Sequence, residues 1–169
     1  MSTAKEQETF IRLMAGTQGI ILKICYAYCY NKTDREDLAQ EIVLTLWKGF
    51  PKYDPTCKFS TWMYRVSINV AITYYRNRIK NKGTIPFEER YLEIEDTRPD
   101  VTEAEAATNK LQKHITLLPD LERALVILYF EKKSYREIAE IMGLTETNVA
   151  TKISRIKEKL KKNILSDPD

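Results

Sequence analysis

Side chains able to bond to nucleic-acid bases and phosphates recur at helical spacing near the C-terminus. Between Lys133 and Leu160 the chain reads KSYREIAEIMGLTETNVATKISRIKEKL. Glu146, Thr147, Asn148, Thr151, Lys152 and Arg155 fall on one side of a helix whose other side carries Val149, Ile153, Ile156 and Leu160. Hydroxyl, amide and cationic groups in that pattern suit base edges and phosphate oxygens. A second group lies upstream, where Tyr53, Phe59, Trp62, Tyr64, Tyr74 and Tyr75 are interleaved with Arg65, Asn69, Arg76, Asn77 and Arg78. Rings can stack on unpaired bases, worth about 1–3 kcal/mol per base, while cations hold phosphates. The competing expectations are a hydrophobic core for the rings and a solvated face for the C-terminal stripe. Bond-making chemistry has little to work with. One histidine, no phosphate-cradling glycine-rich loop and no ligand cluster leave no catalytic residue, metal site or cofactor to expect.

The elements that position these groups are signalled locally. Ser134 and Glu137 have capping-box spacing, which predicts a helix from Tyr135 with Ile138, Ala139 and Met142 as its apolar stripe. Gly143 suits a left-handed helix terminus and Thr145 can cap the next helix. Two helices joined by about three residues including a glycine form a helix-turn-helix, whose second helix enters the major groove.

Upstream, Phe10, Leu13, Met14, Ile20, Ile21, Ile24, Cys25 and Tyr28 predict one helix over about 5–30. Cys25 and Cys29, four apart and without further ligands, read as small buried hydrophobes. Thr33 and Glu36 predict the cap of a second helix with Leu38, Ile42, Val43, Leu46 and Trp47 in the core. Asp37, Gln40, Glu41 and Thr45 lie off that stripe, where solvent is the usual neighbour. Gly49, Pro51 and Pro55 make KGFPKYDPTCK a loop. Ser60 can cap a third helix to about Lys80, with Trp62, Met63, Val66, Val70, Ala71 and Tyr74 inward. Helical character returns over about 102–117, and Pro119 fits the first position of the helix that precedes the helix-turn-helix. No strand alternation stands out.

These signals predict an all-α protein of two small helical domains, 1–83 and 107–169, joined by a flexible acidic linker over 84–106. Charge follows the same division. The net charge of +3 is split into +6 over residues 1–85, −6 over 86–108 and +3 over 109–169. Two basic ends around an acidic middle suggest two polyanion-binding modules and a repelling tether. The polar start MSTAKEQETF carries no signal-peptide core, and no apolar run reaches the length of a membrane span, so membrane insertion is not expected. Three cysteines, an odd number, fit a reducing cytoplasm better than a disulfide framework.

Two stretches together resemble bacterial RNA polymerase sigma factors of the extracytoplasmic-function (ECF) group, in the sigma-70 family. Residues 34–80 follow that family's region 2 pattern: D-L-x-Q-E, a Trp, Y-D-P, F-S-T-W, an Asn, then basic residues. Residues 117–160 follow region 4: L-P, an apolar and acidic helix, Y-x-E-I-A, G-L, a Val and a basic helix. The resemblance implies a protein that binds core RNA polymerase and directs it to particular promoters. Asp37, Gln40 and Glu41 would then face the polymerase rather than solvent. The loop from Tyr53 to Ser60 would take a base flipped from the melted non-template strand of the minus-ten element. Thr56, Lys58, Phe59, Ser60, Trp62 and Asn69 would surround that base, with Trp62 as a buttress, while Arg76 and Arg78 touch phosphates. Thr147, Asn148, Thr151, Lys152 and Arg155 would read the minus-thirty-five duplex. An anti-sigma factor is a further implied partner, and the linker would thread through the polymerase.

The chain departs from the family pattern at Ile68, often Arg, and at Thr73, often Asp. Lys157 and Lys159 stand where arginines are more usual. A helix-turn-helix regulator acting without polymerase would account for residues 117–160 but leave Asp37 to Lys80 without a role. An adaptor that does not touch DNA fits poorly with a basic recognition helix.

Overall fold

The computed structural model describes residues 3–29, 31–82 and 102–168. Eight α-helices and no strand are present among them, so the all-α expectation holds. The chain divides into two compact units, Met1–Asn77 and Arg78–Asp169.

In the first unit, α1 spans Ala4–Ala15, α2 Gln18–Tyr28 and α3 Lys32–Gly49, with a short 3-10 turn at Phe50–Lys52, and α4, Phe59–Lys82, starts in this unit and ends beyond its Asn77 boundary. The single helix expected over about 5–30 is broken. Gly16 closes α1, its N–H donating to the Met14 carbonyl, and the axis bends by 65° before α2. The Thr17 hydroxyl bonds to the Leu13 and Met14 carbonyls, which gives the backbone an alternative to continuing the helix. Neither half is long and apolar enough to cross a membrane alone, nor is any other single helix among the described residues. The cap of α3 is Asn31, whose side chain accepts from Asp34 N–H at 2.8 Å, rather than Thr33. Asparagine is as good a cap as any, and taking it starts the helix two residues earlier.

Ile24, Leu38, Ile42, Leu46 and Met63 have no exposed surface and form the centre of this unit. Val43, expected beside them, is 39% exposed, because the helix already buries Leu38, Ile42 and Leu46 and Val43 lies beyond their stripe. On α4 the buried face is Met63, Tyr64, Ser67, Ile68, Ala71 and Ile72, while Trp62, Val66, Val70 and Tyr74 are half-buried. Ile68 is thus a core residue, 2% exposed, at the position where the family often carries arginine. Cys25 and Cys29 are buried free thiols, and burial pushes Cys25 up to about 11, which keeps it protonated and inert.

In the second unit, α5 spans Glu103–Thr116, α6 Asp120–Phe130, α7 Tyr135–Met142 and α8 Glu146–Ser166. Most of the expected linker lies outside the described residues, but residues 103–106 are not linker. Thr102 and Glu105 form a full capping box, so α5 begins at Glu103. Pro119 is the residue before α6 rather than its first. Arg123, fully buried, ties the corner between α5 and α6 by donating to the carbonyls of Thr116 and Leu118 at 2.5 and 3.0 Å. Those carbonyls face the end of α5, where a cation also complements the helix dipole. Helix α8 packs on α5, α6 and α7. Its far end is held by Asp167, whose carboxylate meets His114 at 2.9 Å and whose carbonyl accepts from Lys110 at 3.1 Å.

Candidate nucleic-acid and partner interfaces

The helix-turn-helix forms as the local signals predict. Ser134 and Glu137 complete a reciprocal capping box at 2.8 and 3.1 Å. Gly143 adopts φ 69°, a left-handed conformation that costs an L side chain about 1–2 kcal/mol. Its N–H and that of Leu144 both return to the Ala139 carbonyl, which closes α7 and aims the chain into α8. Thr145 then caps α8 by accepting from Asn148 N–H at 3.1 Å. Val149 and Ile153 of α8 and Ile138 of α7 are buried, which locks the two helices together.

That packing turns one stripe of α8 outward. Thr147, Asn148, Thr151, Lys152 and Arg155 are all exposed. The Thr151 hydroxyl donates to the Thr147 carbonyl at 3.0 Å, which leaves its lone pairs and methyl group facing out. The lysines further along behave differently. Lys157 sits over the Tyr129 ring at 4.1 Å, and its bond to Tyr129 holds its pKa above the ordinary lysine value. Lys159 pairs with Glu122 at 3.1 Å. Both are engaged with α6, so the outward cations at the start of the stripe are Lys152 and Arg155.

In the first unit, Asp37, Gln40 and Glu41 are exposed on α3, opposite Leu38, Ile42 and Leu46. They do not form a single cluster. Asp37 and Glu41, one turn apart, lie close enough to Tyr74 of α4 that, after burial, their charge helps raise its phenol above the usual value. Gln40 lies on the other edge, on the rim of an open apolar groove of about 780 Å³ between α1 and α3. Phe10, Ile11, Val43, Leu44 and Trp47 line it. Ile11 and Leu44 are 60% and 51% exposed, and this apolar face was not anticipated from periodicity.

The loop before α4 is a closed turn. Asp54 accepts Thr56 N–H at 2.9 Å on its side chain and Cys57 N–H at 3.0 Å on its carbonyl. Hydrogen bonds from the Thr56 backbone and side chain hold the Asp54 carboxyl below its ordinary pKa. Asp followed by Pro is the combination a type I turn favours. Thr56 and Lys58 are exposed at its tip. Helix α4 begins at Phe59, two residues earlier than a Ser60 cap implies, with Trp62 N–H reaching the Lys58 carbonyl. Phe59 and Trp62 turn inward into a ring cluster, 5.6 Å apart, with Tyr53 at 5.5 and 5.0 Å from them. Ser60 is half-buried beside it. Asn69 and Arg76 are exposed further along α4, and Arg78, half-buried, follows one turn from its end.

The family model of Sigma-70 region 2 matches residues 13–80, and that of Sigma-70 region 4 matches residues 108–160. The ECF RNA polymerase sigma factor SigW of Bacillus subtilis is 28% identical over 177 residues, covering 94% of this chain and 90% of that protein. Among solved structures, CnrH in complex with the cytosolic domain of CnrY superposes with TM-score 0.67 at 21% identity, covering 96% of this chain and 91% of that one. The sigma factor RpoE in complex with the anti-sigma factor NepR, from Bartonella quintana, gives TM-score 0.66 at 15% identity, covering 99% and 100%. Both sigma regions are therefore present in family order, on the two units whose exposed polar faces have just been described, and the chain belongs to the sigma-70 family as a sigma factor of the ECF group, which acts in promoter-directed transcription initiation with core RNA polymerase.

Proposed function

We propose that the two exposed faces divide the work of initiation between them. Region 2 holds core polymerase through Asp37, Gln40 and Glu41, with the groove beside Gln40 adding apolar area to a face that charge alone would bind weakly. The turn at Thr56 and Lys58 receives the unpaired minus-ten strand. Ser60 and Asn69 flank it, Phe59 and Trp62 hold it from beneath, and Arg76 and Arg78 meet the phosphates. Region 4 docks α8 in the major groove of the minus-thirty-five element through Thr147, Asn148, Thr151, Lys152 and Arg155.

The observation that carries this reading is the outward stripe of α8, made of short polar side chains and two cations, on a helix-turn-helix closed by a capping box, a left-handed glycine and a threonine cap. The chain supplies no chemistry of its own and works in the cytoplasm beside the polymerase. The RpoE relative is seen with an anti-sigma factor, and a partner of that kind, covering the same faces, would restrain this chain too.

Co-purification with core polymerase tests the first half of the proposal. The wild-type chain should be retained, and Gln40→Ala and Glu41→Arg should weaken retention while leaving binding of duplex DNA by the full chain unchanged. Undiminished retention of both variants would remove these residues from the polymerase interface.

A further inference from the structure

We propose that Phe50 and Tyr53 are positioning residues for the loop Asp54–Lys58, setting its backbone in one shape before a DNA strand arrives. The proposal rests on the reading that this loop captures the unpaired strand. Both residues are half-buried, with their rings packed against other rings. Phe50 sits among four other rings. It stacks on Tyr53 at 6.0 Å with an interplanar angle of 15°, and meets Phe10 at 5.2 Å, Trp62 at 6.4 Å and Phe59 at 6.5 Å. Tyr53 leans on Trp62 at 5.0 Å, and its hydroxyl donates to the Cys57 carbonyl at 2.5 Å. That bond runs from the residue before the loop to the loop's fourth residue.

The loop is thus held at three points. Rings anchor its start, the Asp54 side chain and carbonyl organise its middle, and the Tyr53 hydroxyl fixes its end. The only donor of Tyr53 is committed to protein, so Tyr53 acts through the loop. Behind the cluster, the Trp62 ring lies against the end of α3, where a Cβ built on Gly49 would stand in ordinary contact with it at 3.4 Å. Phe10 comes from α1, outside the segment that matches the family's region 2. The brace therefore draws on a ring that the family match does not include, and that same ring lines the groove beside Gln40. A loop already in its bound shape avoids the ordering cost of capturing a flexible strand, and it offers only one arrangement of groups to an incoming base.

The test uses holoenzyme assembled from core polymerase and the full chain. The probe is a pool of fork-junction DNA whose unpaired non-template bases are randomised. Wild-type holoenzyme should select particular bases. Tyr53→Phe keeps the ring and removes one hydrogen bond, so capture should weaken about fivefold and base preference should flatten. Phe50→Leu should do the same, and Phe50→Tyr, which keeps the ring, should restore preference. Salt dependence should not change in any of these, because no charge is removed. Lys58→Ala should do the converse, lowering affinity and salt dependence while keeping preference. Thermal unfolding and polymerase affinity check that the variants are folded. If folded Tyr53→Phe and Phe50→Leu holoenzymes keep wild-type affinity and base preference, the brace has no positioning role. If wild-type holoenzyme itself shows no preference on the pool, strand capture by this loop is wrong, and the proposal falls with it.

Discussion

The two candidate DNA-facing surfaces are built in opposite ways. In the second unit the side chains stand on a regular helix, α8, and everything that aims them lies within about thirty residues of sequence: a capping box, a left-handed glycine and a threonine cap. In the first unit Thr56 and Lys58 sit on the five-residue loop Asp54–Lys58. That turn owes its shape to rings contributed by α1, the 3-10 turn and α4. The difference suits the two tasks. Duplex DNA presents a groove that a rigid helix fits, with sequence read by side chains in register. An unpaired base must be taken out of its stack and held in a shaped pocket, which requires a loop kept rigid by something behind it.

The contrast can be broken from either side. The largest effect is expected from Trp62→Ala, which removes a ring shared by Phe50, Tyr53 and Phe59. It should cost the first unit about 3 kcal/mol in denaturant unfolding, at the lower end for a large aromatic because Trp62 is half-buried. Duplex binding through α8 should survive. Removing both Lys152 and Arg155 by alanine should lower affinity for the upstream duplex at least about tenfold and reduce the salt slope by about 2, while capture of unpaired strand by holoenzyme is retained. Equal losses on both probes would mean that the two surfaces do not act separately.

Gly143→Ala sharpens the comparison by attacking the aim of α8 without touching a DNA-facing residue. Nothing lies within 4 Å of the added methyl, so the cost is backbone strain alone, about 1–2 kcal/mol of stability. The smallest effect concerns the far end of α8. Bonding to His114, with Lys110 and Lys113 nearby, holds the Asp167 carboxyl below its ordinary pKa. A carboxyl lowered on folding contributes its stability fully above the unfolded value, and that contribution is lost as pH falls through the folded value. Protection of the amides in the last turn of α8, taken relative to their intrinsic exchange rate, should therefore fall on acidification below the ordinary aspartate range. Asp167→Asn should remove that response.

The same contrast explains how much was legible beforehand. The caps at Ser134, Glu137, Gly143 and Thr145 are contacts between residues a few positions apart, so their spacing announces them. The outward stripe of α8 follows from those caps and a simple apolar period. The break at Gly16 and Thr17 was hidden because apolar residues on both sides keep nearly the same rhythm. The core face of α4 was misplaced because Trp62, Val66, Val70 and Tyr74 form an apolar line of their own beside the buried one. Val43 on the groove, the engagement of Lys157 and Lys159 with α6, and the place of Phe50 at the centre of the ring cluster all depend on neighbours distant in sequence. No local pattern carries such contacts. The resemblance to sigma factors pointed to Asp37, Gln40 and Glu41 as a partner face, and the fold places Gln40 on a different edge of α3 from the other two.

The most direct measurement is run-off transcription with core polymerase, this chain and a library of randomised promoters. A chain that carries one duplex reader and one strand-capturing loop should enrich templates with two conserved elements at a fixed spacing, and Tyr53→Phe should flatten base preference in the downstream element even when that element is pre-melted. Transcription no greater than core polymerase alone, or enrichment of a single duplex element without a downstream partner, would contradict the account.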